Sequence, residues 1–341
     1  RFPLFGIMLQ RQRNPPTTTT MQYRHFGNTD LKASVIGFGC NRIADPSRER
    51  REVLATLHAA LERGINYFDT ADRYDFGASE RLLGTALRGR RDRVILCSKA
   101  GKRQDGLERI KDLLRPYARR LRERSNAGGS LVETLRKARP SQRFDSAYIP
   151  QAVERSLRRL RTDHLDVFLF HNPSPEVIRD GRLFETAARL QARGLIRHYG
   201  VACGSDVLEH PEALGRLLEQ PGLAALQLRV NLSATGTLER VLPRAARSGV
   251  AVVAFEPLGK GAVLSDARIR EAMALSAGRP AAELALKFVL AQPAVSVVLV
   301  GMTRRHHLEE NLAAVNSPAL TADELAALSR STGEMAPARG N

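Results

Sequence analysis

Eight times after residue 33, a short apolar run gives way to a run with helical periodicity. The apolar runs are 35–39, 65–69, 94–98, 165–170, 198–202, 225–230, 250–255 and 295–300. The helical runs that follow them are 48–63, 79–88, 148–160, 182–193, 212–219, 238–247, 281–290 and 307–315. The apolar runs do not alternate with polar residues, so both faces are buried, as in parallel strands covered on each side. In the first helical run Val53, Leu54, Leu57 and Leu61 share one face, and Gly64 ends it. Gly194 and Gly249 end later runs in the same way. Alternating strands and helices imply a parallel sheet. Eight such units match a closed (β/α)8 TIM barrel. The competing architecture, an open doubly wound sheet, usually carries GxGxxG after its first strand. Gly37-Phe38-Gly39-Cys40-Asn41-Arg42 lacks the third glycine.

Two segments fall outside this alternation. Residues 21–26 and 32–34 flank the turn Gly27-Asn28-Thr29-Asp30, which reads as an N-terminal β-hairpin capping the barrel floor. Residues 101–146 form a long insertion after the third strand, with a helical stretch at 110–122 and a joint at Ala127-Gly128-Gly129-Ser130. An insertion at that end of a barrel strand overhangs the active-site mouth. Residues 21–335 are thus expected to form a single barrel domain. Residues 1–20 lack periodicity and read as a disordered extension, and 336–341 as a tail.

Composition narrows the function. The chain has 341 residues, 43% of them hydrophobic, enough for a barrel core. Its longest apolar run, 294–302, is far short of the ~20 residues that span a bilayer, so a soluble, cytoplasmic protein with no membrane partner is expected. Cys40, Cys97 and Cys203 are too few and too scattered for a disulfide framework. Without CxxC or HExxH, no dedicated metal site is expected. The net charge of +17 raises the question of nucleic acid. Residues 101–143 hold 13 Lys/Arg against 5 Asp/Glu, a net +8, but have little aromatic interleaving. The expectation is a solvated arginine-rich surface without nucleic acid, with an acidic substrate or carrier as the alternative for 101–143.

The chemistry lies at the strand ends, where barrel enzymes place their catalytic groups. Asp69 ends the second strand, Tyr74 follows on its loop, Lys99 ends the third and His171 the fourth. Singly, each has an ordinary structural reading: a cap, a packed ring, a solvated amine, a hydrogen-bonded imidazole. Together they converge on one mouth. A phenol with a pKa of ~10 is a poor acid at neutral pH. A nearby ammonium lowers that pKa, and a carboxylate keeps the ammonium charged and oriented. An imidazole beside them can hold a substrate oxygen. The set lacks an electron source, which implies a cofactor.

The motifs in this order resemble the aldo-keto reductase family over residues 21–329. They are Phe68-Asp69-Thr70-Ala71 through Tyr74, Ser79-Glu80-Arg81-Leu82-Leu83-Gly84, Ser98-Lys99, Ser156-Leu157-Arg158-Arg159-Leu160, Thr162-Asp163-His164-Leu165-Asp166, His171, Phe255-Glu256-Pro257-Leu258-Gly259-Lys260-Gly261 and Leu308-Glu309-Glu310-Asn311. The resemblance implies a catalytic tetrad of Asp69, Tyr74, Lys99 and His171, with Tyr74 as general acid in reduction and base in oxidation. It implies reduction of a small aldehyde or ketone, or the reverse, by direct hydride transfer from a nicotinamide held across the barrel mouth. Gln227 would hold the carboxamide and Phe255 would stack on the ring. Leu258, Gly259 and Lys260 would line the pyrophosphate, and Thr303, Arg304, His307, Glu310 and Asn311 the adenosine end. Gly39, Cys40, Asn172, Cys203 and Gly301 would complete the cleft, and Asn41 would face the substrate. Arg304 and Arg305 before a helix start favour NADPH over NAD. Four positions depart from the family pattern: Ala202-Cys203 replace Ser-Asn, Asp75 replaces a frequent glycine, and Asn41 replaces a frequent aromatic. Two other functions fit the same residues: a non-catalytic nicotinamide-binding regulatory subunit, and a Schiff-base lyase using Lys99.

Overall fold

The computed structural model describes residues 21–101, 142–233, 236–261, 263, 267–274 and 278–331. The expected extension 1–20, the tail 336–341 and nearly all of the basic insertion lie outside these residues.

Strands β1 (Tyr23–His25) and β2 (Lys32–Ser34) pair antiparallel, with Tyr23 opposite Ser34. Eight further strands close into a parallel barrel: β3 (Ile36–Gly39), β4 (Tyr67–Asp69), β5 (Ile95–Ala100), β6 (Leu165–His171), β7 (Ile196–Ala202), β8 (Leu223–Arg229), β9 (Ala251–Phe255) and β10 (Val295–Val300). Each lies beside its neighbour in sequence, and β10 returns to β3, with Val300 beside Phe38. The doubly wound alternative is therefore excluded.

Two apolar layers hold this shape. Inside the barrel, Tyr67, Ile95, Cys97, Val167, Leu169, Ala225, Val253 and Val297 pack together, and the hairpin's Phe26, Leu31 and Ala33 plug the floor. Phe26 stacks on Tyr67 at 5.6 Å between ring centroids. The hairpin fits closely: a Cβ at Gly27, where φ is +56°, would lie 2.6 Å from the Gly249 carbonyl oxygen. Outside the barrel, the opposite faces of the strands meet the helices in a larger layer that includes Leu57, Leu83, Val153, Phe168 and Phe170. Charge also latches the hairpin: Asp30 bonds His198 Nε2 at 2.8 Å and pairs with Arg197.

The helices at Tyr148–Leu160 and Ala281–Leu290 have the bounds expected from the sequence. Four others, Pro175–Asp180, Ser205–Glu209, Ala267–Ala274 and Ala322–Ser331, were not anticipated. The first two have six and five residues, too short to show a period. The helix expected at 238–247 begins at Leu242, behind a π-helical turn at Thr237–Val241. Pro243 has no N–H to donate, so the regular ladder starts late. Among the described residues no helix is long and apolar enough to cross a membrane.

Arg143 N–H donates to the Gly101 carbonyl at 2.8 Å, so the two ends of the insertion meet beside the carboxyl end of β5. The proposed role of residues 101–143 in recruiting an acidic partner falls outside the described residues.

Candidate active site

Barrel register brings the four expected side chains together. Asp69 ends β4, Lys99 is the penultimate residue of β5, and His171 ends β6, on adjacent strands. Tyr74 opens a short 3-10 turn, Tyr74–Gly77, on the loop after β4. Lys99 Nζ donates to Asp69 Oδ2 at 2.6 Å and to the Thr70 carbonyl at 2.8 Å. Both partners are almost wholly buried, at 1% and 3% exposure. The Lys99 ammonium stands 4.9 Å from the centroid of the Tyr74 ring. The His171 ring is perpendicular to that ring, at 6.2 Å between centroids. Gln227 Nε2, from β8, donates to the second Asp69 oxygen at 2.8 Å.

Electrostatics assign states to these groups. Burial alone would lower the Lys99 pKa, but Asp69 and Tyr74 beside it outweigh burial, and it lies well above the ordinary amine value. Lys99 is therefore an ammonium at any physiological pH. Burial pushes the Tyr74 phenol up, Lys99 pulls it down, and the net shift is upward. This corrects the expectation that the ammonium leaves the phenol below its usual value: desolvation of the phenolate is the larger effect. Tyr74 is held as a neutral phenol with a cation ready to stabilise its anion.

The motif residues around the tetrad supply its support, which the sequence did not reveal. Ser79 Oγ donates to the Cys40 carbonyl at 2.8 Å and meets Thr70 Oγ1 at 2.9 Å, tying the β3 and β4 loops together. Glu80, fully buried, accepts from Ser98 Oγ at 2.7 Å and from Arg159 Nε at 2.5 Å. Ser98 precedes Lys99, so this ion pair anchors the strand end that carries the ammonium. Asp72 N–H donates to the Lys99 carbonyl at 2.9 Å. Burial, reinforced by Glu80, pushes the Asp72 carboxyl up to about 7. Asp75 also has a role now: its Oδ2 accepts from the Ala44 N–H at 2.9 Å, joining the Tyr74 loop to the β3 loop that carries Asn41. Asn41 is exposed on that loop.

The residues expected to hold a cofactor run in an arc around the mouth from the ends of β6 and β7, where Asn172 and Cys203 lie, through β8, β9 and β10 to β3. Phe255, half-buried, ends β9 with its base on the interior core. Leu258 and Gly259 lie in the turn that follows, which also contains the Lys260 backbone. A Cβ at Gly261 or Gly301 would meet nothing within 4 Å, so the arc borders open space. Gly39 ends β3, and a Cβ there would come 3.2 Å from the Val300 carbonyl. Arg304 is the exposed N-cap residue of the helix Arg305–Asn316. His307, Glu310 and Asn311 lie on its first turns, with Asn311 Nδ2 bonded to the His307 carbonyl at 2.7 Å. These positions fit an extended, anionic cofactor. Three details refine the expectation. The Cys40 and Cys203 thiols are buried in the layer between barrel and helices, so only their backbones can touch a ligand. Arg305 is paired with Glu309 at 3.1 Å. Arg48, absent from the expected set, reaches across from the bend just before the first helix to donate to Thr303 Oγ1. Where Ala202-Cys203 replace the usual polar pair, Asn172 (φ +60°) takes up a mouth position with its amide against Gly204. Among the described residues no cluster of side chains could hold a metal ion.

A parallel barrel with a carboxylate-held lysine, a neutral phenol and an imidazole at its carboxyl mouth defines an oxidoreductase of the carbonyl–alcohol type. The chain belongs to the aldo/keto reductase family, whose model matches residues 35–332. It is 30% identical to the uncharacterized oxidoreductase YqkF of Bacillus subtilis over 336 residues, covering 92% of this chain and 97% of that protein. Among solved structures, the holo form of aldo-keto reductase AKR11C1 from Bacillus halodurans superposes with a TM-score of 0.72 at 26% identity, covering 91% of this chain and 96% of that one. An aldo/keto reductase from Klebsiella pneumoniae in complex with NADP and acetate superposes at 0.68 and 26% identity, covering 95% and 98%.

Proposed function

We propose that this protein reduces a small aldehyde or ketone to the alcohol, or runs the reverse reaction, with NADPH as cofactor and Tyr74 as proton donor. The observation that carries the reading is the position of Tyr74 between the His171 ring and the buried Lys99–Asp69 pair. When bound, the nicotinamide supplies the hydride. The protein's own part is to place the carbonyl oxygen and to deliver a proton. His171 holds the oxygen beside the Tyr74 hydroxyl. As negative charge grows on that oxygen, Tyr74 gives up its proton, and the phenolate that remains faces an ammonium that Asp69 keeps charged and fixed. In oxidation the same phenolate takes the alcohol proton.

Gln227, Phe255, Leu258, Gly259, Lys260, Gly301 and Thr303 would hold the cofactor, with Gly39 and the Cys40, Asn172 and Cys203 backbones closing the tetrad side. Arg304, which has no acid partner among the described residues, and Arg48 beside Thr303 suit a phosphate at the adenosine end, in favour of NADPH. The NADP complex of the Klebsiella relative supports the same choice. The lyase reading is weaker, because a Schiff base needs a neutral, accessible amine and Asp69 holds Lys99 buried and charged. The three buried free thiols suit a reducing, cytoplasmic setting.

The test is a panel of aldehydes and ketones followed by NADPH consumption. Tyr74→Phe should lower kcat by about 10²–10⁴-fold on any active substrate while cofactor fluorescence still reports binding. Unchanged turnover in Tyr74→Phe would remove Tyr74 from the reaction, and cofactor binding without turnover of any substrate would favour a regulatory subunit.

A further inference from the structure

On the outer wall of the barrel, the helices Ala78–Ala86 and Tyr148–Leu160 touch backbone to backbone. Gly84 permits this: a Cβ there would lie 2.5 Å from the Leu160 carbonyl oxygen. Arg81 is three residues before Gly84 and so lies on the same helix face. The close contact brings it against the basic face of the second helix. The result is a surface depression lined by Arg81, Arg155, Arg158, Arg159 and Arg161.

Of these five, Arg159 is held by the buried Glu80 at 2.5 Å, and its side chain packs on Gly77. Among the described residues no carboxylate lies at ion-pair distance from the other four. Among the described residues Arg81 reaches the Phe76 carbonyl, at 3.4 Å, and Arg155 lies 5.6 Å from the Tyr148 ring centroid. Glu154, on the same helix, is taken by Arg193. Five guanidiniums less one carboxylate leave +4 around the depression. The C-terminal dipole of the helix accounts for basic residues at 158, 159 and 161. It does not account for Arg155, in the middle of that helix, or for Arg81 on another. Like charges gathered around one concavity repel, and an anion between them would relieve that repulsion.

We propose that this depression is a binding site for a compact oligophosphate, distinct from the cofactor cleft. Guanidinium forks bind phosphate oxygens bidentately, and four forks without a carboxylate partner among the described residues, around one concavity, match a short chain of phosphates better than a single carboxylate. Arg159, held by Glu80, forms the base, and the other four arginines close over the ligand.

The probe is sodium tripolyphosphate, tested against sodium sulfate at matched ionic strength, with NADPH saturating so that the cofactor's phosphate subsites are filled. Wild-type protein should show a higher Tm with tripolyphosphate than with sulfate. By calorimetric titration, Arg155→Gln/Arg158→Gln should bind tripolyphosphate at least ~10-fold more weakly, with an unaltered far-UV spectrum and unaltered NADPH binding. Equal affinity in wild type and double variant, or no preference for tripolyphosphate over sulfate, would overturn the proposal. NADPH binding is read separately by fluorescence, so failure of the cofactor assignment would leave this comparison of variants intact.

Discussion

At the floor of the barrel the chain turns from helix to strand through left-handed residues at Gly64, Gly89, Gly194, Gly222 and Gly249. At the mouth it leaves the strands partly through glycines, Gly77, Gly101, Gly259 and Gly261, but also through five side-chain-bearing residues in the same region of backbone space: Arg42, Asp75, Phe76, Asn172 and Glu256. Arg161 is the one non-glycine residue that breaks the floor pattern. A side chain in this conformation costs about 1 kcal/mol, less for asparagine. Among the described residues the floor bears that cost once, at Arg161, whereas the mouth bears it five times and offsets it with specific bonds. Asp75 accepts from Ala44, Asn172 N–H donates to the Ala202 carbonyl, and Glu256 accepts from Asn231 and pairs with Arg229. The charges divide in the same way. At the floor Asp166 meets Arg91 and Arg197, both partly open to solvent, while at the mouth Asp69 and Lys99 are sealed together. The floor is built for stability, and the mouth holds side chains where the chemistry needs them.

If that division is right, changes at the mouth should affect turnover and changes at the floor should affect only stability. The largest effect is expected from Lys99→Met. It removes the cation beside Tyr74 and leaves Asp69 buried with Gln227 as its remaining side-chain partner. Turnover should fall at least ~100-fold and stability by about 3 kcal/mol. A Lys99→Met protein that melts like wild type would mean that the pair adds nothing to the fold. At the floor, Gly249→Ala forces a side chain into φ +64° and against the Asn28 amide. It should cost about 2 kcal/mol in urea unfolding, with kcat at 25 °C within about two-fold of wild type. A large loss of kcat would show that the floor communicates with the mouth.

The third effect depends on pH. The Asp72 carboxyl is pushed from 3.8 to about 7 in the folded protein. Between those values the native state holds a proton that the unfolded chain releases, so this group's contribution to stability falls as pH rises from about 4 to about 7 and is level above that. Asp72→Asn removes that slope. Relative to wild type, the variant should gain about 2 kcal/mol between pH 5 and pH 8.5, less than the full shift implies because the side chain keeps some contact with solvent. A gap between the two urea midpoints that does not change with pH would remove Asp72 from the titrating groups.

The floor was the more legible end in the sequence. Its glycines punctuate the helices, and the strand runs between them are uninterrupted, so strand number, order and closure followed from periodicity alone. The tetrad was legible because strand ends converge in any barrel. What stayed hidden was the support behind it. Glu80 and Arg159 each lie in a motif noted in the sequence, but they are 79 residues apart, and nothing in either motif marks them as a buried ion pair. Asp75 stood out only as a charge where glycine is frequent. Its partner is a backbone N–H on another loop, which no side-chain pattern marks. The direction of the Tyr74 shift was missed for a related reason: sequence shows the neighbouring cation but not the burial that outweighs it.

Asp75 gives the smallest expected effect and the most discriminating one. Asp75→Gly relieves the strain at φ +49° but loses the bond to Ala44. Each is worth about 1 kcal/mol, with opposite signs, so Tm should barely move. The loop that carries Tyr74 would then be tied to the β3 loop by one bond fewer. Turnover should drop a few-fold with little change in cofactor affinity, because the loss lies in positioning the phenol. Asp75→Asn keeps an oxygen for the Ala44 N–H and should restore most of the activity while retaining the strain. If glycine and asparagine variants turn over equally, the Ala44 bond does not position Tyr74, and the left-handed residues of the mouth are no more functional than the glycines of the floor.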